Sequence, residues 1–289
     1  MAKRSATAGT GLAAAAAEGT EAMTASDAAF AGSIPGLYDR HLVPMLFEPY
    51  ASDLAERAAR LTPRRILETA AGTGVVTEAL LSALPEAAIV ATDLNEAMLA
   101  VAGERVRSER VSFSQADAQS LPFEDESFDL VACQFGVMFF PNRIGGYSEA
   151  RRVLRPGGTF LFNVWDSLDA NPGSRAVAEA VGSVFPDDPP SFLQRVPFGY
   201  HDPARIAADL RQAGFADIQG ETVQRSGRLG SPDAVAKGLC LGSPLRSEIE
   251  ARDPARLDDA VAAATTAVER LSAGASALPM SALVFSARR

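Results

Sequence analysis

An α/β fold built on a parallel sheet is predicted by three features of this 289-residue chain. Short apolar runs alternate with amphipathic segments between residues 65 and 165, the pattern of a parallel sheet covered by helices on both faces. The stretch Ile66-Leu67-Glu68-Thr69-Ala70-Ala71-Gly72-Thr73-Gly74 reads as a strand, a glycine-containing turn and a helix start. A second apolar run, Ala88-Ile89-Val90-Ala91-Thr92, ends in Asp93, nineteen residues after Gly74.

Taken in order, residues 1–24 are Ala, Gly and Thr with almost no bulky apolar group. Such a stretch buries too little surface to offset chain entropy, and a mobile tail is expected. Tyr38-Asp39-Arg40-His41-Leu42-Val43-Pro44 marks a helical lead-in within 25–48. Leu54, Ala58 and Leu61 recur at helical spacing ahead of Pro63 and predict an amphipathic helix. Strands are expected at 65–70, 88–93, 110–115, 128–134 and 158–165, with helices at 74–84, 95–107 and 145–154. Arg155-Pro156-Gly157-Gly158 is a sharp stop before the fifth strand. Asn171-Pro172-Gly173, Pro186 and Pro189-Pro190 then set 166–202 apart as a cap insertion with a short helix near 174–185. A helix at 203–213 and a strand near 216–224 resume the core pattern. A mostly helical insertion, 225–273, precedes a last strand at 278–287 rich in Leu, Val and Phe. The chain thus divides into a tail (1–24), a cofactor-binding core with its lead-in (25–165), the cap (166–202) and the C-terminal part of the core (203–289).

The net charge of −9 argues against a nucleic-acid substrate, which needs clustered Lys and Arg. Cys133 and Cys240 stand alone, without metal-ligand spacing, so no zinc site is expected and a reducing, cytoplasmic compartment is the default. No apolar run reaches membrane-spanning length. The Ala13–Ala17 run after Lys3-Arg4 is short and interrupted by Glu18, which discounts a signal peptide.

Chemistry concentrates at the strand ends. Gly72 and Gly74 lack a Cβ, so a ligand can approach the backbone. The unpaired N–H groups of the following helix favour a negative or polar group. Asp93 is placed to accept both hydroxyls of a ribose, or to cap the helix that begins near Asn95. Together they predict a nucleoside-containing cofactor across the ends of two parallel strands.

Further blocks follow in order: Thr92-Asp93-Leu94-Asn95-Glu96-Ala97-Met98-Leu99, then Ala116-Asp117-Ala118-Gln119-Ser120-Leu121-Pro122-Phe123, Asp125-Glu126-Ser127-Phe128-Asp129 and Leu154-Arg155-Pro156-Gly157-Gly158. With the Glu68–Gly74 block, these resemble the class I S-adenosylmethionine-dependent methyltransferases, nearest to the ubiquinone and menaquinone biosynthesis group. The likeness covers residues 35–165 well and the chain end more loosely. It implies a doubly wound, Rossmann-like sheet of seven strands, mostly parallel, with an antiparallel last strand beside the fifth and helical cap insertions. One departure stands out, because Ala70 occupies the place of the family's first glycine.

The resemblance implies S-adenosylmethionine as cofactor and a role for each matching position. Glu68 would lie near the methionine amino group, or be a solvated strand-end carboxylate. Ala70, Gly72, Thr73 and Gly74 would form the loop, and Asp93 would hold the ribose. Leu94 and Met98 would pack on the adenine. Asp117 would accept from the adenine amino group, beside the Ala118 N–H, or simply close an Asx-turn. Gln134 would point to the methionine end. Phe135, Met138, Phe139 and Phe140 either wall the methyl-transfer chamber or pack the core. Tyr38 and His41 in the lead-in and His201 near the end of the cap are candidates for contact with acceptor or cofactor, although His201-Asp202-Pro203 also reads as a turn into a helix. No catalytic acid or base is assigned and no metal is expected.

The expected reaction is in-line transfer of a methyl group to a small organic acceptor, which needs positioning and exclusion of water more than a catalytic dyad. Acceptor choice should reside in the lead-in, 166–202 and the helices after 225. Two alternatives remain: a non-catalytic cofactor-binding relative of the same fold, and an NAD-dependent oxidoreductase. The latter's fingerprint wants Gly or Ala where this chain has Thr77.

Overall fold

The computed structural model describes Asp27, Phe30 and residues 32–228, 230–273, 275 and 277–289. The tail expected over 1–24 lies outside the described residues. Helix α1 (Ile34–Leu37) runs into a π-helical segment, Tyr38–Phe47, and then α2 (Glu48–Leu61). In the π segment the Glu48 N–H bonds back to the Val43 carbonyl, and Pro44 sits inside it without an N–H to give. Tyr38, Leu42 and Leu46, spaced four residues apart, lie on one face of the segment. Helix α2 starts with Pro49 in its first turn and stops at Thr62, left-handed at φ 49°, just before Pro63.

The alternating region follows the expected plan: β1 (Arg65–Thr69), α3 (Val75–Ala83), β2 (Ala88–Asp93), α4 (Glu96–Arg105), β3 (Val111–Gln115), β4 (Phe128–Gln134), α5 (Arg143–Val153) and β5 (Leu154–Trp165). Strand β5 starts at Leu154, earlier than expected. Its register against β4 jumps from Phe128↔Leu154 to Leu130↔Thr159, so the Pro-Gly-Gly stretch bulges out of the ladder. The cap segment carries α6 (Pro172–Val184) and α7 (Phe192–Arg195). Then come α8 (Pro203–Gln212), β6 (Ala216–Arg228), α9 (Pro232–Leu241), α10 (Leu245–Arg252), α11 (Leu257–Ser272) and β7 (Ala277–Arg288). Asp202 caps α8 by accepting from the Ala204 N–H at 2.8 Å, with Pro203 in the first turn.

The seven strands form one sheet in the order β3-β2-β1-β4-β5-β7-β6. The first five are parallel, and β7 runs antiparallel to both β5 and β6. Ile66, Leu67, Ile89, Leu130, Val131, Phe160 and Phe162 are fully buried, as continuous apolar strands between helix layers require. No helix among the described residues is long and apolar enough to cross a membrane.

Candidate active site

The strand order reverses between β1 and β4, the place where open α/β sheets bind ligands beyond their carboxyl ends. At both strand ends the backbone turns left-handed on a residue that carries a Cβ: Ala70 at φ 53° and Phe135 at φ 50°. Each such residue costs on the order of 1–2 kcal/mol. Both line one cavity of about 580 Å³.

The glycine loop forms one shoulder of this cavity. Gly72, at φ 55°, donates its N–H to Asp93 Oδ2 at 2.9 Å. A Cβ at Gly72 would meet only the Tyr38 hydroxyl, at 3.9 Å, so the cavity face of the loop is open. Gly74 differs. A Cβ there would stand 3.0 Å from Ala102 Cβ and 3.2 Å from its Cα, at φ 84°. Gly74 therefore lets the start of α3 pack directly on α4. Arg105 fastens the loop from behind, donating to the Thr73 carbonyl at 3.0 Å and pairing with Asp39 of the π segment at 2.6 Å.

Asp93 is 7% exposed, and each of its oxygens holds a backbone N–H: Gly72 at one, Asn95 at 2.8 Å at the other. Asp93 Oδ1 also accepts a long bond from Asn95 Nδ2 at 3.4 Å, whereas Oδ2 holds the Gly72 N–H and keeps a second acceptor direction for a ligand hydroxyl. Burial pushes the Asp93 carboxyl up, against the pull of the Asn95 and Gly72 N–H groups. The N-cap position of α4 is Asn95, not Asp93; the Asp93 carboxylate instead bonds the Asn95 N–H ahead of the helix and lines the cavity. Leu94 is half exposed and Met98 is buried; both line the cavity. Asp117 and Ala118 line it too, while Asp117 Oδ1 closes an Asx-turn on the Gln119 N–H at 2.8 Å.

Glu68, Thr73 and Gly74 lie outside the cavity lining. Glu68 is 1% exposed and accepts from Thr77 Oγ1 at 2.6 Å. Burial, with a smaller push from Asp93 and against the Thr77 bond, raises its carboxyl from 4.5 to about 8. The folded protein thus keeps a proton that the unfolded chain has already lost, and the native state is favoured at low pH. Stability of the cofactor-free protein should fall as pH rises from about 4.5 to about 8, by on the order of a few kcal/mol. Thermal melts across that window should show the slope, and Glu68→Gln should flatten it. An unaltered slope in the variant would assign the effect to other groups.

Gln134 lines the cavity and donates to the Phe47 carbonyl at 3.2 Å. Tyr38 also lines it, stacked on Phe47 at 4.9 Å between ring centroids. Burial first, then the charges of Asp93 and Asp39, raise its phenol beyond the ordinary range, so it stays a hydrogen-bond donor. Phe135, Met138, Phe139 and Phe140 all reach the lining. Neither histidine does. His41 is half-buried, and its imidazole is shifted down by burial and by Arg40 and Lys237. His201 is exposed, its Nδ1 2.7 Å from the Phe198 carbonyl in the turn before α8. Among the described residues no cluster of His, Cys, Asp and Glu suits a metal ion.

Sequence reasoning did not single out Phe47, Trp165, Phe192, Phe198 and Leu239, which complete the walls. Trp165 offered a signal as the only tryptophan, placed at a strand end. The others sit in segments without a decodable pattern. The aromatic wall is continuous: Phe135 stacks on Trp165 at 3.9 Å and 9°, Phe47 tilts against both, and Phe198 meets Trp165 at 5.8 Å.

Residues 67–162 match the model of the methyltransferase domain family. A ubiquinone/menaquinone biosynthesis C-methyltransferase from Methylobacterium nodulans is 33% identical over 182 residues, spanning 57% of this chain and 70% of that protein. A demethylmenaquinone methyltransferase from Clavibacter sepedonicus is 33% identical over 171 residues, spanning 56% and 69%. The fold is shared with Haemonchus contortus phosphoethanolamine N-methyltransferase 2, solved with S-adenosylhomocysteine. That likeness has a TM-score of 0.57 at 19% identity, covering 89% of this chain and 56% of the other. The chain belongs to the class I S-adenosylmethionine-dependent methyltransferases, in the group that includes the ubiquinone and menaquinone biosynthesis enzymes, and is an enzyme that takes its methyl group from S-adenosylmethionine.

Proposed function

We propose that the acceptor is a small, flat, largely apolar ring of the hydroquinone kind. The single observation that carries this is the chamber wall of Phe47, Phe135, Phe139, Trp165, Phe192 and Phe198, interrupted by few polar side chains such as Gln134, Ser174 and Ser243. Apolar aromatic walls favour a planar apolar guest. The names of the Methylobacterium and Clavibacter relatives, which specify quinone methylation, point the same way.

In this reading Gly72, Asp93, Leu94, Met98, Asp117 and Ala118 hold the adenosyl part, with Asp93 taking the ribose hydroxyls and Ala70 and Gln134 flanking the methionine end. Glu68, Thr73 and Gly74 support that site from beneath, holding the loop in shape. When bound, the cofactor supplies an electrophilic methyl group on sulfur. The chain's part is to hold the acceptor in line and keep water out. Tyr38 closes the lead-in over the site as a donor and a wall. A reduced quinone carries its own acidic phenols, so the absence of an imidazole from the lining is no obstacle. His41 and His201 receive no part in the chemistry. The space beside Gln134, which no side chain of the protein fills, favours an enzyme over a non-catalytic cofactor binder.

The test is an incubation with isotopically labelled S-adenosylmethionine and 1,4-naphthoquinol or 1,4-benzoquinol, read by mass spectrometry. The quinols should gain one methyl group, while the oxidised quinones and ethanolamine phosphate should not. Methylation of the charged amine in preference to the quinols would overturn this acceptor class.

A further inference from the structure

Asn163 on β5 is fully buried, yet it has not entered the account of the site so far. Its Oδ1 accepts the Phe135 N–H at 2.9 Å, and its Nδ2 donates to Gln134 Oε1 at 3.5 Å. Gln134 in turn gives its Nε2 to the Phe47 carbonyl at 3.2 Å. The direction of each amide is set by its partners: an N–H must meet Oδ1, and a carbonyl must meet Nε2. A single buried amide thus reaches the last residue of β4 and the residue after it and, through Gln134, the end of the π segment.

The residue it holds most firmly is the strained one. Phe135 is bulky and left-handed, a conformation that persists only where the surroundings over-determine it. The Asn163 backbone carbonyl also accepts the Phe135 N–H, at 3.1 Å, so main chain and side chain of one residue grip the same donor. The outcome is a phenyl ring flat against Trp165. Gln134, Phe135, Phe47 and Trp165 all face the chamber, whereas Asn163 itself does not.

The geometry points to Asn163 as a positioning residue for the acceptor: it fixes the Phe135–Trp165 stack and the Gln134 amide against which the acceptor is held, without touching acceptor or cofactor. An apolar side chain at 163 leaves the Phe135 N–H with one acceptor fewer and frees Gln134 to turn. The strained turn then relaxes, and the ring leaves its stack. The residues assigned to the adenosine lie on the β1–α3 and β2–α4 loops and after β3, and none of them shares a hydrogen bond with the Asn163 amide.

The chain's only tryptophan makes the idea directly testable. Near-ultraviolet circular dichroism of the full-length protein reports whether Trp165 is held in one fixed aromatic setting. In Asn163→Leu the tryptophan bands should lose most of their amplitude, while calorimetric affinity for S-adenosylhomocysteine, whose methionine end Gln134 flanks, falls by less than the quinol KM rises. The KM for 1,4-naphthoquinol should rise about tenfold, equivalent to roughly 1.4 kcal/mol. Asn163→Ser, which is smaller and keeps a polar atom, should move both readouts the same way by less and serves if the Leu variant does not fold. Unchanged tryptophan bands in a folded variant would overturn the proposal, as would equal losses for S-adenosylhomocysteine and quinol. The kinetic arm rests on the hydroquinone reading above, and the spectroscopic arm does not. Should naphthoquinol prove no substrate at all, the tryptophan bands still decide the role of Asn163.

Discussion

Asp93→Ala is expected to weaken S-adenosylhomocysteine binding by one to two orders of magnitude, roughly 1.5–3 kcal/mol. Two losses combine. The ribose hydroxyls lose their charged acceptor, and such bonds are about twice as strong as neutral ones. In addition, the Gly72 and Asn95 N–H groups lose the carboxylate that joins the glycine loop to the end of β2. The cofactor would then have to order a loop that the wild-type protein presents ready-made, at a further cost in binding. Asp93→Asn keeps one oxygen and should fall between wild type and Ala. Calorimetric titration measures all three, and an unchanged dissociation constant in the Ala variant would remove Asp93 from the ribose.

Gly136→Ala should cost about 2–3 kcal/mol of stability, the range for overpacking a tight core. The backbone at Gly136 is ordinary, at φ −103°, so strain of the main chain is not the cause. The cause is room: an added Cβ would stand 2.5 Å from Ala70 Cβ and 2.7 Å from Cys133 Sγ. The ends of β1 and β4 touch at this point, and neither can move without deforming the cavity between them. Ala70→Gly removes the nearer obstacle and relieves a left-handed residue. The double variant should therefore recover about half of the loss, with Cys133 still in the way. Urea titrations of the four proteins close the cycle, and simple additivity would show that Ala70 and Gly136 do not meet.

The central strands were legible because each is a short apolar run bounded by turn residues, and β1, β2 and β4 occur within a residue of their expected limits. Gly72 and Asp93 were legible as partners because strand-end glycines and an acid nineteen residues on carry their own physical reason. The insertion of β7 beside β5 was available only from the resemblance, since no local pattern reveals which edge a late strand joins. The width of the Tyr38–Phe47 turn was hidden because its Pro44 reads as a breaker, not as a member of a looser helix. The depth of Glu68 was hidden too, because the Thr77 hydroxyl that meets it comes from the next helix. Phe192 and Phe198 fall in the cap segment, whose sequence has no periodic pattern, and only the folded chain shows that they line a cavity. Asn163 sits among Phe162, Val164 and Trp165, where one polar side chain gives no hint of the two neighbours it serves.

The placement of β7 has a consequence for how the chain is made. It separates β5 from β6, yet of the seven strands of this sheet it is the last to be synthesised. Until residues 277–288 emerge, β5 has an open flank and the long β6 has no neighbour to ladder with. During synthesis such bare margins invite pairing with other nascent chains. A polypeptide halted before residue 277 should accordingly collect in insoluble deposits, and supplying the missing segment as a peptide should return part of it to solution.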